Sequence, residues 1–153
     1  MAAFVPSIDV VNGTQGVPGP QGIQGPQGPQ GIPGPAGDDT VQHIAAISLG
    51  GHRLVVLNSS SQAIYADNSN LTHKDKILGL TTGAVTAGAT ATIQTYGEIS
   101  EVSWSWTLDL PIYASTDGLL TQTPPTTGFL VIVGFPISTT SMFISIKESL
   151  TLL

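Results

Sequence analysis

Glycine recurs at every third position from Gly13 to Gly37. Gly13, Gly16, Gly19, Gly22, Gly25, Gly28, Gly31, Gly34 and Gly37 keep phase without a break. Three polyproline-like chains can wind together only where glycine alone meets their crowded axis, so a strict period of three is a steric demand of the collagen triple helix. Flexible Gly/Ser and Pro-rich linkers carry no such phase. A single chain of this kind has no internal hydrogen bonds, because each glycine N–H needs a carbonyl on a neighbouring chain. The sequence therefore predicts a homotrimer. At about 3 Å per residue, residues 13–39 would form a rod of roughly 80 Å.

Proline fills many first variable positions of the repeat (Pro20, Pro26, Pro29, Pro35), and glutamine dominates the second (Gln15, Gln21, Gln24, Gln27, Gln30). No Gly-Pro-Pro triplet occurs, and no charged residue lies between Gly13 and Ala36. Such a rod lacks both strong imino-acid stabilisation and ion pairs that set register, so a clamp outside it is expected. The chain beyond the rod is about 110 residues long, enough for one domain with its own core. Only 9% of residues are charged, against a globular norm of about 25%. That deficit suits a domain that covers much of its surface with copies of itself.

The organisation read from the sequence is an anchor peptide at 1–12, a collagen-like rod at 13–39, a neck at 40–50 and a β domain at 51–153. The fold expected is mostly β, the C-terminal part being a trimeric head of β-sandwich or β-barrel-like form. Phe4, Val5, Ile8, Val10 and Val11 crowd the first twelve residues with apolar groups, which suits either a terminus that nucleates the rod or a peptide docking on a larger assembly. The N-terminus has no basic region before a long apolar run, so it does not read as a secretory signal. No apolar stretch is long enough to span a bilayer, and membrane insertion is not expected.

Residues 41–47 fit either a short helix capped by Asp39 or Thr40, or a strand. A hairpin is predicted from 54–57 and 63–66 around a Ser-rich turn at 58–61, with further strands at 76–80, 90–96, 129–135 and 142–146. The clearest alternation runs through Val102, Trp104, Trp106, Leu108, Leu110 and Ile112, which a period of two puts on one face. Pro111 marks an edge, a bend or a break there. Asp117-Gly118 reads as a turn.

The formal charge is −6, with four basic residues (Arg53, Lys74, Lys76, Lys147) that cannot build the stripe a phosphate backbone requires; nucleic acid is not an expected partner. With no cysteine, disulfides and thiolate metal sites are excluded. His43, His52 and His73 have no metal-ligand spacing with each other or with carboxylates. Asp38 and Asp39, repeated in three chains, are either solvated or a cation site on the threefold axis. Neither Glu98 with Glu101 nor any serine shows a catalytic arrangement, so no enzyme activity and no cofactor are expected. Trp104 and Trp106, with Val102 and Leu108, form either a domain or trimer core or, if exposed, a platform for a sugar ring.

Several stretches resemble the small β domain of tailed-bacteriophage fibre and head-decoration proteins, which often stands beside Gly-x-y repeats. They are Ala63-Ile64-Tyr65-Ala66-Asp67-Asn68, Gly97-Glu98-Ile99 through Trp104-Ser105-Trp106, Pro111-Ile112-Tyr113, Gly118-Leu119-Leu120-Thr121-Gln122-Thr123-Pro124-Pro125 and Val133-Gly134. The resemblance covers about 64–146 of the sequence, and the Gly118–Pro125 stretch is its most specific part. It implies a virion-surface protein: a trimeric fibre fixed by its N-terminus to a major capsid or other virion protein, with the β domain held outward. A capsid head fibre or decoration protein is the leading expectation. The alternative is a short tail or collar fibre whose head binds a host receptor or surface glycan.

Overall fold

Short β-rich segments separated by turn residues fold into twelve antiparallel strands in a computed structural model that describes residues 2–6, 13–21 and 39–153. The chain divides into two units, 1–34 and 35–153. In the first, Phe4 and Val5 are 91% and 83% exposed. Residues 13–21 hold neither strand nor helix, and nothing lies within 4 Å of where a side chain would begin at Gly13, Gly16 or Gly19. Ile8, Val10, Val11 and the glycines from Gly22 to Gly37 lie outside the described residues.

The second unit is mostly β. Its first sheet has the order β1-β5-β4-β2-β3, from β1 (Thr40–Ile44), β2 (Leu54–Leu57), β3 (Ala63–Tyr65), β4 (Gly79–Thr81) and β5 (Thr90–Gln94). The second sheet has the order β6-β11-β10-β7-β8, from β6 (Gly97–Ser100), β7 (Ile112–Ala114), β8 (Leu120–Thr121), β10 (Ile132–Pro136) and β11 (Ser141–Ile144). β9 (Phe129–Leu130) and β12 (Leu150–Thr151) form a separate ribbon. One core cluster joins the two sheets. Leu54, Val56 and Leu80 from the first meet Ile99, Ile112, Ala114, Val133, Met142 and Ile144 from the second, with Phe129 and Val131. The other face of the first sheet is covered as well: Val55, Ala63, Ala91 and Ile93 pack with Ala45 and Leu49.

The 54–65 hairpin forms as expected. The Asn58 carboxamide oxygen accepts the N–H groups of Ser60 and Gln62, closing the Ser-rich turn from within. Asp117 (φ 54) and Gly118 (φ 69) are consecutive left-handed residues joining β7 to β8, the backbone of a tight hairpin turn. Gly118 is obligatory for a second reason. A β-carbon there would stand 2.5 Å from the Leu54 carbonyl oxygen, where the turn tucks against β2.

Two expectations change. Residues 40–50 are not a neck separate from the head: Thr40–Ile44 pair with β5 along their whole length, from Thr40 opposite Gln94 to Ile44 opposite Thr90. Residues 101–111 are not a strand. Trp104 N–H bonds back to the Glu101 carbonyl, Asp109 is left-handed (φ 69), and Pro111 has no N–H to give a ladder. The alternation spans two turns rather than one extended face. Val102 consequently stands 92% exposed and Leu108 49%, so neither belongs to the domain core. Ile112, at the same parity, is fully buried because β7 begins there.

Candidate functional site

The loop between β6 and β7 is held at three places. Glu101 and Trp106 donate their N–H groups to the carbonyls of Thr140 and Thr139 in the β10–β11 turn. At its far end the Gln122 carboxamide acts as a substitute strand. Its oxygen accepts the Thr107 N–H at 2.8 Å, and its nitrogen donates to the carbonyls of Thr107 (2.8 Å) and Leu110 (3.1 Å). Gln122 lies in the most specific stretch of the sequence, yet its role depends on the β7–β8 hairpin bringing it beside a loop fifteen residues earlier.

This clamped loop forms one wall of a cleft of about 400 Å³, within the range of small-ligand sites. Trp104, Trp106, Ser103 and Glu101 come from the loop, Gly51, His52 and Arg53 from the approach to β2, and Leu119 and Leu120 from the β7–β8 hairpin. The two indoles lie 5.2 Å apart at 49°, and the His52 ring meets Trp104 edge-on at 5.4 Å. Both tryptophans are half-buried and pack on the main core while also lining the cleft. Buried core and sugar platform are thus not exclusive for them. Trp106 Nε1 is buried without a hydrogen-bond partner among the described residues.

The polar rim is ordered. His52 Nδ1 is 3.1 Å from Glu101 Oε2, an ion pair whenever the imidazole is protonated. The Ser103 N–H donates to Glu101 Oε1 at 3.1 Å, and these hydrogen bonds from Ser103, with a smaller contribution from His52, hold the Glu101 carboxyl below its usual range. Arg53 donates to the Asp117 carbonyl and lies 5.8 Å from the Tyr65 ring centroid. Two flat aromatic surfaces beside a guanidinium, a carboxylate and a hydroxyl form the kind of surface that stacks on a sugar ring while hydrogen-bonding its hydroxyls. His52 and Arg53 were not singled out as site residues from the sequence, since nothing local ties them to tryptophans some fifty positions on.

A larger cavity of about 580 Å³ lies between Lys74, Asp75, Ile77 and the 146–149 segment. It mixes two lysines, an aspartate and a glutamate with Ile77 and Ile146, and it has no aromatic ring. Its Asp75 is spent on the chain itself, accepting the Ser149 N–H at 3.1 Å. The tryptophan cleft is the better candidate on chemistry, though smaller. Among the described residues no group of three or more His, Cys, Asp or Glu side chains could hold a metal ion. His43 bonds the Ser61 carbonyl, and His73 accepts the Asp67 N–H. Asp38 lies outside the described residues. Among those described, no helix is long and apolar enough to cross a membrane. Comparison of the chain with protein-family models and with curated proteins finds no match.

Proposed function

We propose that this protein is a structural homotrimeric fibre on the surface of a bacteriophage virion. It serves as a capsid head fibre or decoration protein, attached through its N-terminal peptide and displaying its β domain. The observation that carries the reading is the nine-glycine register running to Asp39, one residue before the first strand of a folded β unit. A triple helix demands three chains, and the β unit supplies a folded body at its end. Exposed Phe4 and Val5 suit a peptide that finds its cover on another protein, and three linked copies raise the effective concentration of each contact.

Deleting residues 2–11 tests the attachment. The truncated trimer is expected to stay soluble and folded but to be lost from particles, and Phe4→Asp to weaken attachment in the same direction. Full occupancy by the truncated trimer would place attachment in the head and reverse the orientation.

The tryptophan cleft supports a second reading, a tail or collar fibre whose head binds a host surface glycan. Under it, Trp104→Ala abolishes retention of the full chain on host-cell envelopes while the trimer persists. Unchanged retention would remove the cleft from consideration as a receptor site.

A further inference from the structure

Residue Asp39 closes the Gly-x-y register and is also the first described residue of the β unit. Its carbonyl oxygen accepts two hydrogen bonds from Thr95, from the N–H at 2.7 Å and the hydroxyl at 3.0 Å. Its carboxylate lies beside Gly97, 3.3 Å from where a β-carbon would stand. The point at which the chain arrives from the repeat is thus pinned to the β5–β6 turn. That turn carries Tyr96, 49% exposed, whose ring meets Phe143 edge-on at 5.0 Å.

Phe143 belongs to the outer face of the second sheet. Its neighbours Met142 and Ile144 are fully buried in the core, so alternation turns Phe143 the other way. Phe135 is its direct cross-strand partner on β10, and it too is substantially exposed. Cross-strand partners on one face are close neighbours. Tyr96, Phe143 and Phe135 therefore form one continuous aromatic strip. The strip begins next to Asp39, and its three side chains stay 37–49% exposed in the described chain.

We propose that this strip is the surface on which the three β heads pack against one another. The proposal rests on the three-chain reading of the repeat and adds the place of contact. Chains wound in a triple helix are in backbone contact around one axis. Three copies of Asp39 must leave that axis together, which brings three copies of the adjoining β5–β6 turn and its aromatic strip into one neighbourhood. The occupant is therefore a second copy of this chain. The rod alone has neither Gly-Pro-Pro triplets nor internal charge pairs, and this contact supplies the missing clamp. Asp39 and Glu98 flank the strip, Glu98 standing opposite Phe143 on β6. Assembly at this face is accordingly driven by apolar burial against like-charge repulsion, and added salt strengthens it.

The test uses the full chain, whose lack of cysteine makes a single introduced thiol unambiguous. Tyr96→Cys is treated with a short bismaleimide, with Ser60→Cys in the β2–β3 turn as the control. Phe143→Asp and Phe135→Asp are compared with wild type by sedimentation. Cross-linking between chains at position 96 but not at 60 is expected, with the trimer dissociation midpoint of each Asp variant rising at least tenfold in concentration. A wild-type monomer would overturn the three-chain reading itself. A wild-type trimer that neither cross-links at position 96 nor responds to the Asp variants would overturn only the packing face, leaving the strip to a different virion partner.

Discussion

Replacing Gln122 tests whether its carboxamide clamps the tryptophan loop. Its carboxamide makes three hydrogen bonds to the tryptophan loop, one accepted and two donated. At the low end of the net value for partly solvated bonds, roughly 0.5 kcal/mol each, Gln122→Ala should cost about 1–2 kcal/mol. Gln122→Glu keeps the shape but turns the donating nitrogen into an oxygen facing the carbonyls of Thr107 and Leu110. Two donated bonds are lost and a charge is set against two acceptors, so the isosteric change should cost more than truncation, about 2–3 kcal/mol. At roughly 4 °C per kcal/mol for a unit of this size, the head transition should fall by about 4–8 °C for Ala and 8–12 °C for Glu. The chain's only two tryptophans sit in the clamped loop, so their emission should shift red in both variants before the head melts. Acidification below about pH 4 should restore part of the Glu variant's loss, since the protonated acid regains a donor. A Glu variant at least as stable as the Ala variant at neutral pH would refute the clamp.

Gly118→Ala should cost about 3 kcal/mol, combining a left-handed backbone with a methyl forced onto the Leu54 carbonyl, whereas Asp117→Gly should leave the melting temperature within a few degrees of wild type. Trp106→Phe removes the unpaired indole N–H, so calorimetry should show a much smaller loss than for Trp106→Ala. Burial, partly opposed by the nearby Asp67 carboxylate, depresses the His73 pKa. The unfolded chain therefore binds the proton more readily, and His73's contribution is intact above about pH 6.5 and declines as pH falls through that value. Melting curves from pH 8 to pH 5 should show that decline, and His73→Gln should flatten it.

Two turns could be read locally in the sequence. The 54–65 hairpin is written in four residues of β-branched and aliphatic character, a Ser-rich turn and a return strand, and Asp117-Gly118 names its own turn. The tryptophan alternation misled because period two is necessary for a strand but not sufficient. Without ladder partners, the left-handed Asp109 and the Pro111 ring decide the backbone. Residues 40–44 joined the first sheet through β5, fifty residues away, a pairing that no local pattern reports. The cleft was legible only by half. Trp104 and Trp106 stood out, but His52 and Arg53 reach them through the stacking of two sheets, and Gln122 through the β7–β8 hairpin. The aromatic strip escaped notice because Phe135 and Phe143 look like core residues until alternation shows their neighbours taking that place.

Sedimentation of the intact protein, combined with circular dichroism as it is warmed, tests the central claim most directly. The expected result is a species of three times the 15.7 kDa chain mass, with a polyproline-type signal lost cooperatively on warming and weakened by a bulky residue at Gly25. A folded monomer at micromolar concentration with no such signal would contradict it.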